Sequence, residues 1–133
     1  MRRVFLDTVG LLAIWDEADQ WHRDAERSMA DLATYPCEFY TSDCVLLECG
    51  NASARKAYRS DVVELRKSLG SANRILVPTD DEIEMAWRSY ENRLHANSGI
   101  VDQLSFVLMK RLGIYEVFTN DEHFRSAGLT VLF

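Results

Sequence analysis

The chain has 133 residues, 47% hydrophobic and 27% charged, with a formal net charge of −6. This length predicts one domain over residues 1–133 with its own core. No apolar run approaches the ~20 residues of a membrane span, and the acidic balance argues against a general nucleic-acid coat protein, which would be basic. A local basic rim with a bound metal could still meet nucleic acid. Met1-Arg2-Arg3 leads straight into an apolar run that Asp7 breaks, so no signal-peptide core forms and a cytoplasmic protein is expected. The cysteines, Cys37, Cys44 and Cys49, are odd in number and form no C-x-x-C. They read as small buried hydrophobes in a reducing compartment, not as a disulfide framework or a zinc site.

Short apolar runs alternate with helical patterns, the signature of an α/β domain with a mostly parallel sheet. A first strand is predicted over 3–7, with Thr8 as N-cap of a short helix carrying Leu11, Leu12 and Trp15. A helix over 20–32 places Trp21, Ala25, Met29 and Leu32 on one face. The second strand covers 38–41. Ser42 or Asp43 caps a helix running to about 58, and another follows over 60–71. Ile75-Leu76-Val77 is the third strand, stopped by Pro78. Thr79 and Glu82 form a capping box for a helix carrying Ile83, Trp87, Tyr90 and Leu94. The dense acidic run Asp80-Asp81-Glu82 is therefore helix-start chemistry, favoured by the helix dipole. A helix over 100–112 presents Val101, Leu104, Leu108 and Leu112 on one face and ends at Gly113. A fourth strand over 116–119, a short helix over 122–126 and a final strand over 129–133 complete the chain.

Four carboxylates stand where a charge is locally out of place. Asp7 closes Val4-Phe5-Leu6, and Glu48 interrupts an apolar run after Val45-Leu46-Leu47. Asp102 lies between Ile100-Val101 and Leu104, and Asp121 follows Val117-Phe118-Thr119-Asn120. A carboxylate among apolar neighbours is costly unless a cation or hydrogen bonds compensate it. In parallel α/β sheets, sites form outside the carboxyl ends of the strands. A right-handed winding brings all four acids to that edge if the first and fourth strands are neighbours. Clustered carboxylates raise one another's pKa. Mg²⁺ or Mn²⁺, hard cations that take oxygen ligands, would relieve this. Such an ion suits phosphodiester hydrolysis, because it can activate water and stabilise charge on a phosphate.

Val4-Phe5-Leu6-Asp7-Thr8, Leu46-Leu47-Glu48, Val101-Asp102-Gln103-Leu104-Ser105-Phe106 and Thr119-Asn120-Asp121-Glu122-His123-Phe124 together resemble the PIN-domain family, over the full length and in order. Within it, the chain is similar to the VapC-type ribonuclease toxins of toxin–antitoxin pairs. The resemblance implies a three-layer α/β/α domain with a central, mainly parallel five-stranded sheet. It implies a metal-dependent endoribonuclease in which Asp7, Glu48, Asp102 and Asp121 hold Mg²⁺ or Mn²⁺, directly or through water. Thr8, Ser105 and Thr119 fall where the family often carries small hydroxyl residues, so they would orient those carboxylates. It further implies an RNA substrate, a small antitoxin that sends a basic side chain toward the acidic pocket, and a homodimer.

His22 and His95 lie on predicted helices without a partner at metal spacing, and read as structural or solvated. His123 lies near the proposed site, but the resemblance does not make it a ligand. Arg2, Arg3, Arg55, Lys56, Arg59, Lys110, Arg111 and Arg125 are the cations that could meet RNA, each more simply a solvated surface residue. Two other functions compete. A protein-binding module with a vestigial or regulatory metal site would use Trp15, Trp21 and Tyr58 as anchors. A phosphotransfer fold of the phosphatase or receiver type would fit Asp7 at the end of the first strand, yet a phosphatase of the haloacid type would want a second Asp two residues later, where Val9 stands.

Overall fold

The computed structural model describes residues 1–95 and 97–133. Five strands, β1 (Arg2–Leu6), β2 (Cys37–Ser42), β3 (Ile75–Leu76), β4 (Glu116–Phe118) and β5 (Thr130–Val131), form one sheet in the order β3-β2-β1-β4-β5. All four pairings are parallel. Val4, Phe5, Val117 and Phe118 are completely buried, as strands covered on both faces must be. Among the described residues, seven helices connect the strands: α1 (Thr8–Trp15), α2 (His22–Leu32), α3 (Asp43–Ala52), α4 (Arg59–Ser71), α5 (Asp80–Glu91), α6 (Ile100–Leu112) and α7 (Glu122–Ser126). Contacts join α1 to α2 and α3, and α3 to α4, while α5 packs on α6 and α6 on α7. With right-handed crossovers, the first set covers one face of the sheet and the second set the other. The result is the expected three-layer α/β/α arrangement.

β1 and β4 are neighbours, with Val4 opposite Glu116 and Leu6 opposite Phe118. This adjacency is the step that sequence patterning left open. It matters because the chain winds outward from β1 through β2 to β3, and from β4 to β5 in the other direction. The β1/β4 junction is therefore a topological switch point, with a crevice beyond the strand ends.

Several local expectations are corrected. Asp7, not Thr8, is the N-cap of α1: its carboxylate accepts from the Val9 N–H. α3 stops at Ala52, not near residue 58, because Ser53 takes a non-helical conformation and turn hydrogen bonds follow, including Lys56 N–H to the Ser53 carbonyl. Trp21 precedes α2 and is 41% exposed, so Ala25, Ser28 and Leu32 carry that helix's buried face. On α5 the buried residues are Glu82 and Ala86, while Trp87 and Tyr90 face outward. The Thr79–Glu82 capping box is present, and Arg111 lies 3.1 Å from the Glu82 carboxylate. That acidic run is structural.

Candidate metal centre

Asp7 and Asp121 occupy equivalent places. Each follows a strand of the β1/β4 pair and caps the next helix: Asp7 accepts from Val9 N–H, and Asp121 accepts from His123 N–H at 2.9 Å. Thr119 ties the two together. Its buried hydroxyl donates to Asp7 Oδ2 at 2.9 Å and accepts from the Asp121 N–H at 3.2 Å. Asp102 enters from α6, which packs on α7, and in its first turn Oδ2 accepts from the Gly99 N–H at 3.3 Å. Glu48 comes from α3 and accepts from the Thr8 hydroxyl at 2.5 Å. Thr8 can do this because Asp7 has taken the capping role. Ser105 is buried, but its hydroxyl donates to the Val101 carbonyl one turn back, at 2.9 Å. Its hydrogen bond is therefore internal to α6 and not to a carboxylate.

The electrostatics are those of negative charges without enough compensation. Asp7, 2% exposed, has its pKa pushed up to about 7, first by burial and then by the charges of Asp102 and Asp121, against the Thr119 hydrogen bond. Asp102 is pushed up to about 6 by burial and by Asp121 and Glu48, with the Gly99 N–H and His123 opposing. The four acids thus act on one another electrically. Cys49 is buried nearby, and its thiol is pushed up to about 12 by burial and by Asp7 and Glu48, so it stays protonated. The donors on offer are carboxylate oxygens, which fit a hard divalent cation. Oxygens of Asp102 and Asp121 and a ring nitrogen of His123 all lie within 4.8 Å of one another.

The family model described as PIN domain matches residues 4–129. The chain belongs to the PIN-domain family. Over 126 residues it is 29% identical to a protein of Mycobacterium tuberculosis named 23S rRNA-specific endonuclease VapC20, covering 94% of each chain. A crystal structure of Mycobacterium tuberculosis VapC20, titled a Sarcin-Ricin loop cleaving toxin, superposes with a TM-score of 0.77 at 26% identity, covering 96% of each chain. The resemblance read from the four motifs is borne out.

The PIN domain's cations divide by position. Arg2 and Arg3 begin β1, at the opposite end from Asp7, and Arg2 pairs with Glu116 at 2.7 Å. Arg111 and Arg125 are held by Glu82 and Glu122, and Arg59 donates to the Ala54 carbonyl. Arg55, Lys56 and Lys110 have no ion pair among the described residues. His22 is structural: its Nδ1 lies 2.8 Å from the Ala13 carbonyl and its Nε2 3.1 Å from Glu26. His123, expected near the site, lies beside two of the acids, with Nδ1 3.1 Å from Asp121 Oδ1 and 3.8 Å from Asp102 Oδ2. Its i+2 spacing from Asp121 across a helix cap is the sequence signal of that proximity.

Proposed function

We propose that this PIN domain is a metal-dependent endoribonuclease of the VapC toxin kind, acting as a single catalytic domain over residues 1–133. The observation that carries the proposal is the convergence of Asp7, Asp102 and Asp121 at the β1/β4 switch point, in a chain similar along 94% of its length to a named ribosomal-RNA endonuclease. Asp7, Asp102, Asp121 and Glu48 would hold Mg²⁺ or Mn²⁺. Bound there, such an ion lowers the pKa of water and stabilises negative charge on a phosphate. The protein's own groups do the rest. Thr119 fixes Asp7 and the start of α7, Thr8 fixes Glu48, and Gly99 fixes Asp102. An acidic pocket repels RNA phosphates, so the ion is also what makes phosphate approach favourable.

A cytoplasmic location, a cognate antitoxin and a homodimer belong to the same reading. No described helix is long and apolar enough to cross a membrane. A binding module with a vestigial metal site is not favoured: Trp15 and Tyr58, two of its three anchors, stack on each other with centroids 6.4 Å apart and are both partly buried.

The decisive measurement incubates the purified chain with 23S rRNA, with and without Mn²⁺, beside an Asp102→Asn variant. Discrete cleavage by wild type alone, stopped by EDTA, is expected. Equal cleavage by both proteins would remove the site assignment.

A further inference from the structure

We propose that His123 is a nitrogen ligand of this metal centre, and that it gives the site a preference for a borderline transition ion over Mg²⁺. The inference rests on the metal-site reading above and goes beyond the all-carboxylate set that the family resemblance supplies. Its ground is geometric. His123 Nδ1 lies 3.1 Å from Asp121 Oδ1 and 3.8 Å from Asp102 Oδ2. Around an octahedral ion with bonds of about 2.1 Å, ligand atoms lie about 3 to 4 Å apart. Both nitrogen–oxygen distances fall in that range, the three atoms lie within 4.8 Å of one another, and neither Asp7 nor Glu48 belongs to the group.

The backbone that carries the imidazole is also held in place. Asp121 caps α7, and the His123 N–H donates to Asp121 Oδ1, which keeps both residues on one turn. The next residue, Phe124, is completely buried and meets Phe106 edge-on at 4.9 Å. Phe106 lies one helical turn after Asp102 on α6. Two adjacent aromatic rings thus lock the helix bearing His123 against the helix bearing Asp102. At 37% side-chain exposure, the ring remains open to an ion arriving from solvent. Imidazole favours later first-row ions such as Co²⁺ and Zn²⁺, whereas Mg²⁺ takes oxygen.

The alternative role is a hydrogen-bond donor that merely orients Asp121. The two roles differ in which ions they affect. Calorimetric titration of wild type, His123→Gln and His123→Asn with Co²⁺ and with Mg²⁺ separates them. Removing a residue that only supports a ligand already weakens metal binding by roughly 10- to 100-fold. Loss of a direct ligand should therefore cost at least about tenfold for Co²⁺, with Mg²⁺ affinity nearly unchanged. The Co²⁺ complex of wild type should also show a paramagnetically shifted imidazole N–H resonance that both variants lack. Equal losses for the two ions would reduce His123 to an orienting residue, and no loss for either would remove it from the site. If wild type bound neither ion, the metal-site reading itself would fall, and this inference with it.

Discussion

Thr119 is the smallest part of the site with the widest reach. One buried hydroxyl donates to the Asp7 carboxylate and accepts from the Asp121 backbone, so it sets the relative position of two acids from one atom. Its hydrogen bond also opposes the upward shift of Asp7, keeping that carboxylate closer to its charged form. Thr119→Val keeps the shape and removes the bond. The expected result is a roughly 10- to 100-fold loss of metal affinity and of cleavage rate. Thr119→Ser should recover most of the loss. If Val and Ser behave alike, the hydroxyl has no part in positioning. The same residue shows why a local sequence pattern is informative but incomplete. A small hydroxyl before Asp121 is visible in the motif, whereas its bond to Asp7 spans 112 positions and exists only because β1 and β4 are paired.

At the scale of elements, the site depends on how closely α1 lies against the end of β4. Gly10 makes that approach possible: a Cβ there would stand 2.0 Å from the Phe118 carbonyl oxygen. Because the obstacle is backbone in a central strand, it cannot simply swing away. Gly10→Ala should force α1 off the sheet and carry its N-cap, Asp7, away from Thr119. Overpacking of this kind costs about 1–3 kcal/mol, so thermal unfolding should shift down by several degrees. Metal affinity should fall too. Unchanged melting and metal binding would show that α1 is not set by this contact. Element order and type were legible because periodicity and caps are local: the Thr79–Glu82 box and Gly113, at φ 66, stand where the pattern put them. The end of α3 was not legible. The 53–58 segment is helix-compatible in composition, but it turns so that Tyr58 reaches the Trp15 ring and, through its hydroxyl, Asp16. Trp87 and Tyr90 lie on the predicted helix, and which way they face was open in the sequence; they face outward. They meet each other edge-on, at 5.5 Å, instead of entering the core.

Across the whole molecule, the site sets a conflict between stability and charge. The unfolded chain releases the protons of Asp7 and Asp102 near 3.8, whereas the folded, metal-free chain holds them to about 7 and about 6. Between those values the native state binds more protons than the unfolded one, so stability falls as pH rises. The contribution is full below about 3.8 and is lost as pH passes through 6 to 7. Each group changes stability by at most about 1.4 kcal/mol per pH unit, and even a fraction of that moves the melting temperature by several degrees. In EDTA, melting should therefore decline from pH 5 to pH 8, a window in which ordinary carboxylates are already ionised. Saturating Mn²⁺ should flatten or reverse the decline, because metal binding displaces the same protons. Asp7→Asn removes the most buried of the four charges. In EDTA at pH 8 it should melt above wild type while losing cleavage and most of its response to Mn²⁺. A wild-type melting temperature that rises through this window without metal would mean that the pocket carries no uncompensated charge and has no electrostatic need of a cation.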